Sequence, residues 1–168
     1  MEIVVNDTNI FIDLYSIGML EEFFELPIKV HTVDFIINEL TEPAQFKAVN
    51  QYVKNDKLFV YSFDAEELTD VIDLQSNAGG NVSIPDCAVW YYAKKNNYAL
   101  LTGDGQLRKK AIESDLTVIG IIYVFDKLIE CGIISHQLAT SKMQELMIRN
   151  ARLPKKIIQE RIEKWSNV

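Results

Sequence analysis

The alternation of strand-like and helix-like segments predicts an α/β fold with a largely parallel sheet and helices on both faces. Two further observations support a single folded unit. No repeat, low-complexity tract or Gly/Ser linker divides the chain. At 168 residues, 48% of them hydrophobic, the chain can bury a sizeable core.

The elements follow in order. Ile3 to Val5 is a β-branched run and reads as the first strand. Ile10, Leu14, Ile17 and Leu20 recur at helical spacing, which predicts a helix from Ile10 to Phe24. Ile28 to Val33 reads as the second strand, and Phe35 to Leu40 starts a second helix. Pro43 interrupts that helix, which resumes through Phe46, Val49 and Val53. Lys57 to Ser62 reads as the third strand, and Asp64 is placed to N-cap a helix carrying Leu68, Val71, Ile72 and Leu74. Asn77-Ala78-Gly79-Gly80-Asn81 is a loop. A helix from Ile84 to Asn96, a fourth strand at Tyr98 to Leu101, a helix from Gln106 to Glu113 and a fifth strand at Thr117 to Ile119 complete the alternation. From Ile121 onward the pattern is helical in three pieces, with breaks at Cys131-Gly132 and Leu153-Pro154.

Composition narrows the classes. The longest apolar runs, such as Gly120 to Phe125, are too short to span a bilayer. The chain opens on a strand with acids at Glu2 and Asp7 and lacks the basic start of a signal peptide, so a cytoplasmic protein is expected. Cys87 and Cys131 form no C-x-x-C pattern and read as small core residues. A net charge of −7 disfavours non-specific nucleic-acid binding, but the charge is uneven. Lys142 to Val168 carries seven Lys/Arg against three Glu, a net of +4, which leaves −11 on the rest. The simplest use of that basic segment is as solvated helix faces.

In an open α/β sheet, ligands bind beyond the carboxyl ends of the strands. Asp7 directly follows the first strand, and Asp104 follows the fourth, two residues after Thr102. Glu39 lies on the helix entered from the second strand. Asp86 sits at the start of the helix that runs back into the fourth strand, so its end of that helix shares the same rim. Each acid also has a purely structural use. Ser83 and Asp86 can form a capping box, Asp7 and Asp104 can cap the helices that follow them, and Glu39 can be an exposed helix residue.

If the four collect, they require neutralisation. Two carboxylates about 5 Å apart repel by roughly 3 kcal/mol at an effective dielectric of about 20. Protonation or a multivalent cation relieves this. An all-oxygen set selects Mg²⁺ or Mn²⁺ over Zn²⁺. His31 and His136 stand apart from the acids in sequence and read as core or surface residues. Such a site suits hydrolysis of a phosphodiester.

Four stretches resemble the PIN-domain family, and within it the VapC-type toxins. They are the opening "VVNDTNIFIDL", then "INEL" around Glu39, then "SIPD" around Asp86, and "LLTGDGQLRKKA" around Asp104. The resemblance covers residues 2–125. It implies a PIN-like three-layer fold with a five-stranded parallel sheet over residues 1–132, leaving 133–168 as a helical C-terminal extension packed on the same domain. It also implies Mg²⁺- or Mn²⁺-dependent cleavage of single-stranded RNA, with Asp7, Glu39, Asp86 and Asp104 as the catalytic acids. Asp7, Asp86 and Asp104 would be the metal ligands, and Asn9 and Thr102 supporting polar residues. A small antitoxin protein and a homodimer are the partners the resemblance implies. The alternative is a catalytically silent PIN fold kept for protein–protein contact.

For substrate, Arg108, Lys109 and Lys110 lie one or two turns beyond Asp104, where at least one can face the groove. In the cluster Trp90-Tyr91-Tyr92, Tyr91 or Tyr92 is the more surface-prone. In the C-terminal segment, Leu138, Leu146, Leu153, Ile157, Ile158, Ile162 and Trp165 recur at near-helical intervals and most simply pack on the domain.

Overall fold

Five short strands form one wholly parallel sheet in the computed structural model, which describes all residues from Met1 to Val168. They are β1 (Glu2–Asn6), β2 (Ile28–Val33), β3 (Leu58–Tyr61), β4 (Ala99–Leu101) and β5 (Val118–Ile119), ordered β3-β2-β1-β4-β5. A parallel sheet is covered on both faces, so the middle of its central strand is apolar. β1 meets this with Val4 and Val5, both fully buried. It pairs Val4 with Val30 of β2 and Asn6 with Leu101 of β4. The chain winds outward from β1 through β2 to β3, then returns to lay β4 on the other side of β1. The crevice between the carboxyl ends of β1 and β4 is therefore the switch point of the sheet.

Ten helices surround it. They are α1 (Thr8–Ser16), α2 (Leu20–Glu25), α3 (Asp34–Glu39), α4 (Pro43–Lys54), α5 (Ala65–Ala78), α6 (Ile84–Asn96), α7 (Gly105–Glu113), α8 (Ile121–Glu130), α9 (His136–Arg149) and α10 (Lys155–Ser166). α6 lies against β1, β2 and β4, with Cys87, Ala88, Val89 and Ala93 fully buried. No helix is long and apolar enough to cross a membrane.

Three sequence expectations change. The helix expected from Ile10 to Phe24 is two helices, because Gly18 takes the left-handed conformation at φ +67. Met19 N–H then bonds back to the Leu14 carbonyl at 2.9 Å, a Schellman-type end that stops α1. Cys87 is buried as expected, but Cys131 is exposed. It ends α8 beside Gly132, another left-handed residue. The break before the last helix begins at Asn150 rather than Leu153.

α9 packs on α1 and α8, and α10 packs on α9. Met143, Leu146, Ile158, Ile162 and Trp165 join the same hydrophobic core as the sheet, while Leu138 and Ile157 of the predicted stripe stay exposed. Polar ties reinforce the packing. Lys142 Nζ donates to the Ile17 carbonyl at 2.8 Å, and Asp126 of α8 accepts from Arg161 Nη1 at 2.8 Å and Trp165 Nε1 at 3.0 Å.

Candidate active site

The site begins where β1 ends. Asp7 N–H donates to the Leu101 carbonyl at 3.0 Å, which extends the β1–β4 ladder by one step and fixes the backbone at the switch point. The Asp7 carboxylate is 2% exposed. Its Oδ1 accepts from the Thr8 N–H and its Oδ2 from the Thr102 hydroxyl, both at 2.7 Å. These bonds favour the ionised form, yet burial outweighs them and pushes the Asp7 carboxyl up to about 6, with the charges of Asp86 and Glu39 adding to the rise. Beside it, the Oδ1 of the fully buried Asn6 has no hydrogen-bond partner.

Thr102 connects two acids. While its hydroxyl donates to Asp7, its oxygen accepts the Asp104 N–H at 3.0 Å. Asp104 in turn caps α7, its Oδ1 accepting from Leu107 N–H at 2.8 Å. Glu39 is the last residue of α3, and its Oε2 accepts from the Thr8 hydroxyl. Asp86 forms the capping box of α6, its Oδ2 accepting from Ser83 N–H at 2.8 Å and its own N–H donating to Ser83 Oγ at 3.1 Å. Burial raises the Asp86 pKa, and the negative charge of Asp104 raises it further.

The four acids therefore share one electrostatic neighbourhood, and three of them are also helix caps. These two uses coexist rather than compete. One consequence is that no three acidic, histidine or cysteine side chains converge as a ready-made chelate. The caps hold one oxygen each of Asp86 and Asp104 against a helix N-terminus and leave the other oxygen of each without a hydrogen bond. None of the four forms a salt bridge with any Lys or Arg. The donor set is all oxygen, with the Asp7 carboxylate destabilised first by burial and then by its like-charged neighbours. That chemistry fits a hard divalent cation.

The other residues singled out in the sequence divide. Asn9 lines a cleft together with Asp104. Arg108 is exposed and leans over the end of β5, where a Cβ on Gly120 would lie 3.9 Å from its Nη1 and 3.7 Å from the Thr102 carbonyl. Lys109 is exposed, and Lys110 is paired with Glu113 on its own helix at 3.7 Å. Tyr92 is buried, its hydroxyl 2.9 Å from His31 Nδ1, and Tyr91 is the partly exposed one. Thr8, in the sequence only a polar residue of the opening motif with no role assigned, serves Asp7 through its backbone and Glu39 through its hydroxyl. Sequence reasoning did not find Arg149 and Arg152, which reach the cleft beside Asp104 from the far end of the chain. The uneven charge of the last helices was the one signal for them.

Comparison with known proteins gives a family match over almost the whole chain. The family model DUF3368, described as a PIN domain, matches residues 3–167. A search of the curated proteins gave no match. Among solved structures, PAE2754 from Pyrobaculum aerophilum is similar at a TM-score of 0.53 and 18% identity, covering 76% of this chain and 96% of that one. VapBC-1 from nontypeable Haemophilus influenzae is similar at a TM-score of 0.51 and 16% identity, over 70% of this chain and 97% of that one. At these identities the likeness is one of fold.

Proposed function

Because the chain belongs to the PIN-domain family, we propose that it is a metal-dependent endoribonuclease that cuts single-stranded RNA and serves as the toxin of a toxin–antitoxin pair. One observation supports this reading. Asp7 lies buried at the switch point in the fields of Asp86 and Glu39, Thr102 joins it to Asp104, and no Lys or Arg pairs with any of the four.

In this reading Asp7, Asp86 and Asp104 hold Mg²⁺ or Mn²⁺. When bound, the ion supplies charge neutralisation at the scissile phosphate and activation of the attacking water. The remaining work falls to the chain. Thr102 fixes the direction of the Asp7 carboxylate and ties it to the loop carrying Asp104. Thr8 holds Glu39, which orients the attacking water and accepts its proton. The capping bonds keep one oxygen of Asp86 and one of Asp104 in place while the other faces the ligand. Attack by water leaves a 5′-phosphate and a 3′-hydroxyl. A small antitoxin protein, a homodimer and a cytoplasmic setting belong to the same reading.

A second reading has its own support. The absence of a ready-made chelate favours a catalytically silent PIN fold that binds another protein. End-labelled single-stranded RNA incubated with purified protein separates the two. The nuclease reading expects cleavage with Mn²⁺ or Mg²⁺ that stops with EDTA. Cleavage that survives EDTA removes the metal role, and no cleavage together with no calorimetric Mn²⁺ binding leaves the silent module.

A further inference from the structure

A cleft of about 350 Å³ opens beside Asp104, and its walls come from three distant parts of the chain. α1 contributes Asn9 and Asp13, the loop after β4 contributes Asp104, the last residue of α9 contributes Arg149, and the turn after it contributes Asn150 and Arg152. The loop carrying Asp104 stands open, for a Cβ on Gly103 or Gly105 would meet nothing within 4 Å.

The α9–α10 turn is built rather than loose. Asn150 Nδ2 donates to both oxygens of Asp13, at 3.0 and 3.2 Å, and Asn150 Oδ1 accepts from Arg152 N–H at 3.0 Å. Leu153, the next residue, is buried and anchors the far side of the turn. Asp13 is itself buried, which raises its pKa against the lowering effect of Asn150. The chain therefore answers Asp13 with a neutral amide. The nearby guanidiniums stay available: Arg152 is exposed and forms no salt bridge, and Arg149 has only the surface carboxylate of Glu145, at 3.3 Å. An exposed ion pair of that kind contributes little, so Arg149 can exchange Glu145 for a stronger anion.

We propose that this turn is a phosphate-binding subsite for single-stranded RNA, with Arg152 as the main contact and Arg149 as the second. The subsite takes a phosphate neighbouring the one to be cut, an assignment that rests on the nuclease reading of the adjacent acids. A planar guanidinium meets two phosphate oxygens at once, which suits it to this role better than a lysine. The subsite also explains how an acidic protein holds a polyanion. The basic residues that matter are few, and they sit where the cleft meets the acids. The C-terminal helices then contribute to function by carrying the turn, and Asn150 with Asp13 positions it.

Binding can be read without catalysis. A fluorescein-labelled single-stranded RNA of about 12 mixed nucleotides, within the range of ordinary single-strand sites, is titrated in EDTA at several KCl concentrations and followed by anisotropy. Arg152→Ala is expected to weaken binding by about 3- to 10-fold and to reduce the salt slope by about 0.7, the share of one phosphate contact. Arg152→Glu is expected to weaken it further, and Arg152→Lys to keep the salt slope while losing part of the affinity. Lys164→Ala removes one charge from the same basic segment outside the cleft and is expected to bind like wild type. Arg152 is exposed, so these variants fold, and thermal melting checks that they do.

Arg152→Ala and Arg152→Glu binding like Lys164→Ala would overturn the subsite. So would a wild type that does not bind the RNA, or Arg152 variants that lose a protein partner while RNA binding is unchanged. The two readings fail separately. Weakened binding in the Arg152 variants of a wild type that never cleaves upholds the subsite and sinks the nuclease. Metal-dependent cleavage and binding that Arg152→Glu leaves intact does the reverse.

Discussion

Two carboxylates, the partly exposed Asp126 and the buried Asp7, are treated in opposite ways. Asp126 ties α8 to α10, and the chain gives it a guanidinium at 2.8 Å and an indole N–H at 3.0 Å. Glu67 is treated similarly, with the Tyr61 hydroxyl at 2.9 Å from each oxygen and Lys95 at 3.6 Å. Asp7 is more buried than either and receives a backbone N–H, a threonine hydroxyl and the fields of two other acids. Asp126 and Glu67, which tie helices and strands together, are each given a cation by the chain. The acids at the switch point are left without a Lys or Arg partner, and that shortage is the electrostatic ground for the proposed metal role.

The largest consequence is on activity. Asp7→Asn keeps the shape of the side chain and removes its charge, so cleavage of single-stranded RNA in Mn²⁺ is expected to fall by at least about 100-fold, the scale of a positioned acid or base. Asp126→Asn is expected to stay within about twofold, because its charge serves helix packing away from the chemistry. Initial rates on a labelled RNA check both. Equal losses would erase the distinction between the two acids.

Stability is expected to move the other way. Folding raises the Asp7 pKa from about 3.9 to about 6, so between these values the folded state binds more protons than the unfolded one, and stability falls as pH rises. The ionised carboxylate is thus a cost that is absent below about pH 4 and fully present above the folded pKa. In EDTA at pH 7.5, Asp7→Asn is expected to be more stable than wild type by about 2 kcal/mol, somewhat less than the shift alone implies because the amide replaces two good acceptor bonds. Urea denaturation across pH 4 to 8 should show the gap closing toward acid. A gap that is constant with pH would mean Asp7 does not carry the burden assigned to it.

Much of this contrast was legible in the sequence, and the rest was not for definite reasons. Asp7 and Asp104 could be placed on one rim because Asp7 directly follows β1 and Asp104 lies in the loop that leaves β4, and strands in a parallel sheet leave by the same end. The capping box at Ser83 and Asp86 is a local pattern and was equally readable. Local signals could not say that the caps and the acid cluster are the same residues, since that depends on how α6 and α7 approach β1. The Thr8–Glu39 bond joins residues 31 apart, and the Asn150–Asp13 bond joins residues 137 apart, so only the folded chain reveals them. For the same reason, Arg152 read as one charge among several on a basic tail. The end of α1 differs in kind, because Gly18 was visible but the helical period runs through it.

A smaller effect is expected from the paired acid. Asp126→Ala leaves Arg161 and the Trp165 N–H without their acceptor at a site where both charged side chains are about one-third exposed. Water can reach the vacated guanidinium, so the loss is discounted from that of a buried pair to about 1–2 kcal/mol. Chemical denaturation at pH 7.5 measures it, and its sign is opposite to that of Asp7→Asn at the same pH. A stabilising Asp126→Ala would show that the pair is an electrostatic burden too, and the two acids would no longer differ in kind.

The smallest effect sets the floor of the scale. Lys110 and Glu113 are an i,i+3 pair on α7 at 3.7 Å, with side chains 35% and 53% exposed. Solvent screens such a pair, and its geometry orders two flexible chains for little return, so Lys110→Ala is expected to cost no more than about 0.5 kcal/mol. The comparison of Asp7 with Asp126 assumes that burial, and not the mere presence of a partner, decides what a charge is worth. A loss from Lys110→Ala as large as that from Asp126→Ala, measured in the same denaturation series, would contradict that assumption. The lack of a Lys or Arg partner at Asp7 would then say little about what the rim binds.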